Sequence, residues 1–338
     1  MSLSRRKFLK TGALATTGLV AANQLKADDA AKPEDVTVPK RKFGKHDDML
    51  SVIGFGGHTL YLSGSQKEAN EITDRALDLG VNFFENAWAY HGGRGEEYMG
   101  TALKGKRDKV FLMTKFNPYN NDVYGENTAA AMKMLEDSLR RLQTDYLDLW
   151  MIHNVMGNQG ERSYQADGLN AAMVKAKEQG KIRYTGFTGH TTPSIHVQMI
   201  EDGFPYDSML MPVSIVGALK SREFEEEVMP LCKKHEIAVL GMKGFGGSRR
   251  VNLHSKTNVK EVVRYALSYP EVCTHVIGVD KVEYVDQAVL ASESTPMTAE
   301  ERETFAVNAR PGTKEYFDMM HGEEFYNDGS CSNKTRPA

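Results

Sequence analysis

Three short apolar runs between residues 81 and 154 set the pattern of the chain. They cover residues 81–84, 110–114 and 146–152, and continuous apolar runs of this length are typical of buried strands. Segments of roughly 15–20 residues with helical periodicity separate the runs. Each run leads directly into an ionisable side chain: Glu85, Lys115 and His153. This alternation predicts a parallel β/α fold.

The same alternation continues through the rest of the chain. A first strand is predicted to end at residues 54–57, with later strands at 181–190, 206–213, 237–242 and 273–277. Helices are predicted over residues 66–79, 127–142, 170–179, 223–235, 259–267 and 282–291. A (β/α)8 TIM barrel of ~250 residues uses most of a chain of this length as one domain. The sequence therefore predicts that barrel over residues 31–297.

Two further segments flank the predicted barrel. Residues 36–43 and 49–53 are expected to pair as an N-terminal hairpin around the turn at 44–48. Residues 298–338 are expected to form a C-terminal extension that is less regular, with a mixture of aromatic and acidic side chains.

The ionisable side chains at the predicted strand ends indicate a common site. In a parallel barrel the carboxyl ends of the strands share the face that holds the chemistry. Tyr90 follows Glu85 by five residues, so an acid, a phenol, the Lys115 amine and the His153 imidazole are expected to meet there. Each has a purely structural alternative: a salt-bridge partner for Lys115, a core histidine for His153 and a surface turn for Tyr90. Their occurrence at consecutive strand ends favours the site.

Composition excludes several classes of function. The 338 residues are 41% hydrophobic and 26% charged with a net charge of −3, an ordinary globular balance that gives no reason to expect a nucleic-acid partner. Of the three cysteines, Cys232, Cys273 and Cys331, none lies in a Cys-x-x-Cys or Cys/His cluster. The sequence therefore predicts no metal site and no disulfide framework.

The first 30 residues have the composition of an export signal. A basic segment at residues 5–10 begins with Arg5 and Arg6 and precedes a weakly apolar stretch at 11–22, with small residues near Ala27. Adjacent arginines of this kind are typical of the twin-arginine route, and the apolar stretch is too short for a membrane span of ~20 residues. We expect an interaction with the twin-arginine export machinery, no stable membrane span and a periplasmic location. A disordered basic tail is the alternative.

The central motifs resemble the aldo-keto reductase family over roughly residues 40–290. They are the segments 84–90, 95–100 and 145–149, the pair Thr114-Lys115 and the segment 152–154. The resemblance implies a hydride transfer between a nicotinamide dinucleotide and a small carbonyl or alcohol substrate, with sugars among the candidates. In that chemistry Tyr90 acts as general acid and base, and the nearby Lys115 ammonium lowers the pKa of the phenol from about 10. Glu85 holds Lys115, and His153 orients the carbonyl oxygen.

The resemblance also implies a cofactor, NADP(H) or alternatively NAD(H). Lys243 and the glycines after it combine a positive charge with backbone amides, which suits a pyrophosphate, although a plain turn is the alternative. The candidate cofactor contacts are Gly56, Thr188, His190, Lys243, Gly244, Phe245, Gly246, Gly278 and Lys281. The candidate substrate contacts, which adjoin the catalytic residues in the sequence, are Trp88, His91 and Asn154.

The chain departs from the family pattern at several positions. Glu85 stands where the family has Asp, and Gly189 stands where it has the Asn that binds the carboxamide. Leu210 and Val213 fall near the family's Gln and nicotinamide-stacking Tyr, and Asp280 would repel a 2′-phosphate. These departures leave a second interpretation open, in which the barrel is cofactor-poor, with weakened cofactor contacts, and acts as a ligand- or partner-binding module.

Overall fold

The fold is seen in a computed structural model that describes residues 31–116, 127–156, 159–190, 192–214, 224–245 and 258–309. The predicted signal at 1–30, Gly246 and the chain after 309 lie outside the described residues.

Eight parallel strands form a closed barrel. In chain order they are β3 (Ile53–Gly56), β4 (Phe83–Glu85), β5 (Phe111–Phe116), β6 (Leu147–Ile152), β7 (Ile182–Thr188), β8 (Ser208–Pro212), β9 (Ala238–Met242) and β10 (Val272–Ile277). Each strand pairs with the next one along the chain, and β10 pairs with β3 to close the ring. This topology confirms the predicted (β/α)8 barrel.

Helices follow the barrel strands. They are α1 (Gly57–Tyr61), α2 (Gln66–Asp78), α3 (Arg94–Ala102), α4 (Thr128–Leu142), α5 (Gln159–Ser163), α6 (Leu169–Glu178), α7 (Pro193–Glu201), α8 (Met229–Lys234), α9 (Val259–Leu267), α10 (Val282–Ser292) and α11 (Ala299–Ala309). Short 3₁₀ turns cover Pro33–Asp35, Tyr90–Gly93 and Arg107–Lys109. Side chains of Ser65, Asn127 and Asn258 cap α2, α4 and α9 by accepting from a backbone N–H of the first turn.

Two predicted segments differ from the structure. Over residues 223–235 a single helix was expected, but Phe224–Val228 is a π-helical turn that precedes α8. Pro230 lies in the first turn of α8, where its missing N–H interrupts the regular bonding to the preceding turn.

The expectation of an irregular segment after Thr298 is wrong for its first part, because α11 begins at Ala299. Thr298 Oγ1 accepts from the Glu301 N–H at 3.1 Å, and the Glu301 carboxylate accepts from the Thr298 N–H at 2.8 Å. This reciprocal pair is a capping box, which starts a helix even where hydrophobic periodicity is weak.

The hairpin lies at one end of the barrel. Strands β1 (Lys40–Lys42) and β2 (Met49–Ser51) pair antiparallel, as predicted but over fewer residues. Phe43 and Leu50 are fully buried and belong to the apolar cluster that fills the barrel, together with Phe83 and Phe111. Asp48 in the hairpin turn pairs with Arg183 at the start of β7 at 2.8 Å. The opposite end, where the strands terminate, carries the predicted site residues.

Candidate active site

A buried acid, amine and phenol meet where β4 and β5 end. The Lys115 ammonium is paired with the Glu85 carboxylate and donates to the Asn86 carbonyl at 2.6 Å. The Tyr90 hydroxyl donates to the same Glu85 oxygen at 3.1 Å, and the ammonium lies 4.8 Å from the centre of the Tyr90 ring. Lys115 is 2% exposed and Glu85 is 4% exposed, so each charge has its compensation inside the protein. These three predicted residues therefore form one connected group.

Backbone pairing places this group. The chain after β4 stays attached to β5, since the Asn86 N–H donates to the Met113 carbonyl and the Trp88 N–H donates to the Lys115 carbonyl. These bonds, at 3.0 and 2.9 Å, extend the parallel ladder past the end of β4. Tyr90 consequently lies over the end of β5 instead of turning away with α3.

His153 completes the group from β6. The His153 backbone N–H donates to the Phe116 carbonyl at 2.7 Å. The His153 imidazole meets the Tyr90 ring edge to face, with ring centres 5.7 Å apart. Burial, with smaller contributions from the Lys115 and Lys243 ammonium groups, lowers the pKa of His153 well below its usual range. The imidazole is therefore neutral at neutral pH, with one nitrogen able to donate and one able to accept.

Two glycines leave room for these side chains. A Cβ at Gly56 would lie 3.0 Å from Glu85 Oε2, and a Cβ at Gly57 would lie 2.1 Å from Asn86 Nδ2. Gly56 was predicted as a cofactor contact, but its visible role is to accommodate the Glu85 carboxylate across the β3–β4 pair. Gly57 and Asn86 were missed by the sequence reasoning. Asn86 directly follows Glu85, and only the structure shows that its carbonyl accepts from Lys115.

Trp88, a predicted substrate contact, packs against α4. Its indole is 4% exposed, its Nε1 donates to Asp137 at 3.5 Å, and the Arg141 guanidinium lies 5.1 Å over the ring. Trp88 therefore packs between α4 and the barrel, and its role as a substrate contact stays a prediction. The reason for this packing is long-range: α4 supplies Asp137 and Arg141, and nothing near Trp88 in the sequence indicates them.

His91 lies beside Tyr90 in a strained backbone conformation. Its φ of 53° is in the left-handed region, which is uncommon for a residue other than glycine. His91 Nε2 contacts the His58 carbonyl oxygen at 2.9 Å, and its ring lies 4.5 Å from the His58 ring and 4.3 Å from the Tyr61 ring. The His58 ring in turn meets the Tyr90 ring edge to face at 5.3 Å. The structure thus places the predicted substrate contact His91 against His58, which is a neighbour of Tyr90.

Asn154, Thr188 and His190 form a second connected set at the ends of β6 and β7. The Asn154 N–H donates to Thr188 Oγ1 at 2.7 Å, and Asn154 Oδ1 lies 2.8 Å from His190 Nδ1. Thr188 is fully buried, so its hydroxyl holds the loop after β6. Burial, followed by the nearby charge of Lys243, lowers the pKa of His190 well below its usual range.

The predicted phosphate loop follows β9. Lys243 is half-buried with a φ of 62°, and its charge acts on both His153 and His190, which places it at the same end of the barrel. Gly244 is buried, and a Cβ there would lie 2.3 Å from Val262 and 2.6 Å from His275. Phe245 packs against the outer apolar core. Gly246 lies outside the described residues.

Gly278 and Lys281 lie at the end of β10. Gly278 is exposed, and a Cβ there would lie 2.7 Å from Thr59. Lys281 precedes α10, and its exposed ammonium lies 3.6 Å from Glu283. That carboxylate offsets part of the charge that Lys281, a candidate cofactor contact, would present to a phosphate.

The part of the chain that the structure describes holds neither a candidate metal site nor a helix that could span a membrane. No group of three His, Cys, Asp or Glu side chains there could hold a metal ion. No helix there is long and apolar enough to cross a membrane.

Comparison with known proteins decides the family. The model of the Aldo/keto reductase family matches residues 52–260. The chain belongs to the aldo/keto reductase family. This aldo/keto reductase is 26% identical over 300 residues to the uncharacterized oxidoreductase YqkF of Bacillus subtilis, covering 78% of this chain and 94% of that protein. It is 30% identical over 206 residues to the methylglyoxal reductase YeaE of Escherichia coli, covering 61% and 68% respectively.

Solved structures agree with this assignment. The holo form of the aldo-keto reductase AKR11C1 from Bacillus halodurans superposes with a TM-score of 0.67 at 28% identity, over 80% of this chain and 96% of that one. An aldo-keto reductase from Klebsiella pneumoniae in complex with NADPH shares the fold with a TM-score of 0.62 at 23% identity, over 81% and 95%. The predicted class, an NAD(P)-dependent oxidoreductase of the aldo/keto reductase type, is confirmed.

Proposed function

We propose that this aldo/keto reductase interconverts small carbonyl compounds and alcohols with NADP(H), with Tyr90 as the general acid and base. The observation that carries the proposal is the convergence of Tyr90, Lys115 and Glu85 with the neutral His153 at the strand ends. Among carbonyl substrates, sugars are candidates. The N-terminal arginine pair supports export of the folded protein to the periplasm.

The residues present fit a dinucleotide. The end of β9 offers the Lys243 ammonium and the backbone N–H of Gly244, and a positive charge with backbone amides is the donor set that suits a pyrophosphate. The NADPH bound to the Klebsiella pneumoniae relative supports the choice of cofactor. Asp280 argues for NAD(H) as the alternative, because its charge would repel a 2′-phosphate.

Each catalytic side chain has a defined task. The dinucleotide supplies a hydride to the carbonyl carbon when it is bound. Tyr90 donates its hydroxyl proton to the carbonyl oxygen, which yields the alcohol and the oxidised dinucleotide; the reverse reaction returns the proton to Tyr90. The Lys115 ammonium stabilises the charge left on the Tyr90 oxygen, and Glu85 holds that ammonium in place. Neutral His153 donates a hydrogen bond that orients the carbonyl.

A second candidate function has one observation in its favour. Leu210 and Val213 are 1% and 0% exposed, so neither presents a side chain to a nicotinamide where the family uses Gln and Tyr. A barrel with weakened cofactor contacts would act as a ligand- or partner-binding module. Titration of the purified protein with NADPH separates the two, since a binding module of this kind shows no saturable dinucleotide site.

Tyr90→Phe tests the proposed chemistry. The variant loses the proton donor but keeps the ring, so turnover should fall by at least ~10² while NADPH affinity stays the same. Tyr98→Phe is the matched control, because Tyr98 lies on α3 away from the Glu85–Lys115 pair and should leave turnover unchanged. Near-wild-type turnover of Tyr90→Phe on a genuine substrate would show that Tyr90 is not the proton donor.

A further inference from the structure

The segment Trp88–Gly93, which carries Tyr90, has an uncommon backbone conformation at His91. Three consecutive residues, His91, Gly92 and Gly93, have φ values of 53°, 66° and 94°. Left-handed backbone at a residue other than glycine persists only where the surroundings hold it. The Tyr90 hydroxyl must nevertheless be placed to within a fraction of an ångström for proton transfer. Some group outside the segment therefore has to fix its shape.

Arg141, on the buried side of α4, contacts both ends of this segment. Its Nη1 donates to the Trp88 carbonyl at 3.2 Å, and its guanidinium lies 5.1 Å over the Trp88 indole. At the other end, a Cβ at Gly93 would lie 2.4 Å from Arg141 Cζ, so the planar guanidinium packs directly against the Gly93 backbone. Tyr90 lies between these two points of contact.

Glu96 in turn fixes Arg141. Glu96 is fully buried, and its Oε2 accepts from Arg141 Nη1 at 3.2 Å. Its other oxygen accepts from Thr114 Oγ1 at 2.7 Å, and Thr114 directly precedes Lys115 on β5. One carboxylate thus connects the guanidinium that holds the Tyr90 segment to the strand that holds the catalytic ammonium.

We propose that Arg141, anchored by Glu96, is the positioning residue that sets the Tyr90 hydroxyl relative to Lys115. The inference rests on the proposed function. Arg141 touches neither substrate nor cofactor in this scheme; it acts through the Trp88 carbonyl and the Gly93 backbone.

Arg141→Lys tests the role while keeping the positive charge beside Glu96. A lysine ammonium lacks the planar fork, so it cannot contact the indole, the Trp88 carbonyl and the Glu96 carboxylate together. We expect kcat to fall between about 10- and 100-fold, as for other displacements of a catalytic group. Arg140→Lys is the matched control, because the Arg140 side chain is 68% exposed and pairs only with Asp137 among the described residues.

Glu96→Gln is a second, independent test of the positioning role. An amide keeps the shape of the side chain but removes the negative charge that pairs with the Arg141 guanidinium, so Arg141 is held less firmly. The same direction of change in kcat is expected, and Glu97→Gln, at the exposed neighbouring position on α3, should have no effect.

The readout separates positioning from folding. Because no candidate cofactor residue lies in the Trp88–Gly93 segment or on α4, NADPH affinity should change less than about twofold. For this reason kcat is expressed per NADPH-binding site. A role in stability alone would lower the number of binding sites and leave kcat per site at the wild-type value. That result in both Arg141→Lys and Glu96→Gln overturns the proposal.

A double-variant cycle shows whether Arg141 acts through Tyr90. In the Tyr90→Phe background Arg141→Lys should have little further effect on the residual turnover, since the group that it positions is already gone. Additive losses in the double variant would overturn the positioning role. The proposed function is tested separately, because retained turnover in Tyr90→Phe, or the absence of a saturable NADPH site, contradicts it whatever the result for Arg141.

Discussion

His275 should make the folded barrel lose stability as the pH falls below neutrality. This side chain on β10 is fully buried, and neither ring nitrogen has a hydrogen-bond partner among the described residues. Its ring packs against β9 and the loop that follows β9, where a Cβ at Gly241 would lie 2.5 Å from Nδ1 and a Cβ at Gly244 would lie 2.6 Å from Nε2. Burial lowers the pKa of His275 to about 4.

The sign and size of the effect follow from this shift. Between a folded pKa of about 4 and an unfolded pKa of about 6.5, the unfolded chain binds more protons, so the free energy of unfolding falls as the pH is lowered. A pH of ~5 lies about 1.5 units below the pKa of the unfolded imidazole, which is therefore protonated, while the folded imidazole is still mostly neutral. At about 1.4 kcal/mol per unit, His275 alone should remove about 2 kcal/mol of stability between pH ~7.5 and pH ~5.

His275→Asn isolates this contribution. Unfolding by urea is followed by tryptophan fluorescence at both pH values, and the pH-dependent loss should be about 2 kcal/mol smaller in the variant. Lost packing lowers the stability of the variant at both pH values and cancels from the difference. His196 is also buried, with a pKa of about 4, and it remains in both proteins. The control is His235→Asn, because His235 is exposed in the folded protein. An equal pH dependence in wild type and His275→Asn would refute the reasoning.

Two further changes give clear expectations. Lys115→Met should reduce turnover by at least ~10² and lower the free energy of unfolding by about 3–5 kcal/mol, because it leaves the Glu85 carboxylate buried without a cation. Steady-state kinetics and urea unfolding measure the two effects, and an unchanged value in either would contradict the prediction. Replacing Arg5 and Arg6 with Lys should leave the precursor in the cytoplasm, because the twin-arginine signal needs the arginine pair. Cell fractionation measures the distribution, and undiminished periplasmic protein would count against export by this route.

The sequence predicted the parts of the site that depend on strand ends. Glu85, Lys115 and His153 follow apolar runs directly, and parallel topology brings such positions to one face whatever the details of packing. The packing of Trp88 was not predicted, because its environment comes from α4, whose Arg141 is 53 residues away. No local pattern reports a contact at that separation.

Two other features of the structure were not predicted, and only the first of them can be seen in the sequence. The capping box at Thr298 and Glu301 is visible in the sequence and would have predicted α11. By contrast, the use of Gly56 to make room for a carboxylate depends on strand register, which hydrophobic pattern alone does not define.

The missing side chain at Gly56 couples the choice of residue at position 56 to the choice of acid at position 85. Glu85 carries one methylene more than the aspartate of the family pattern, and its Oε2 occupies the space that a Cβ at residue 56 would need, at 3.0 Å. An alanine at residue 56 would push the Glu85 carboxylate by a few tenths of an ångström, and that carboxylate also binds Lys115 and Tyr90. A longer acid at residue 85 therefore favours glycine on the neighbouring strand, and each of the two positions restricts which residue fits at the other.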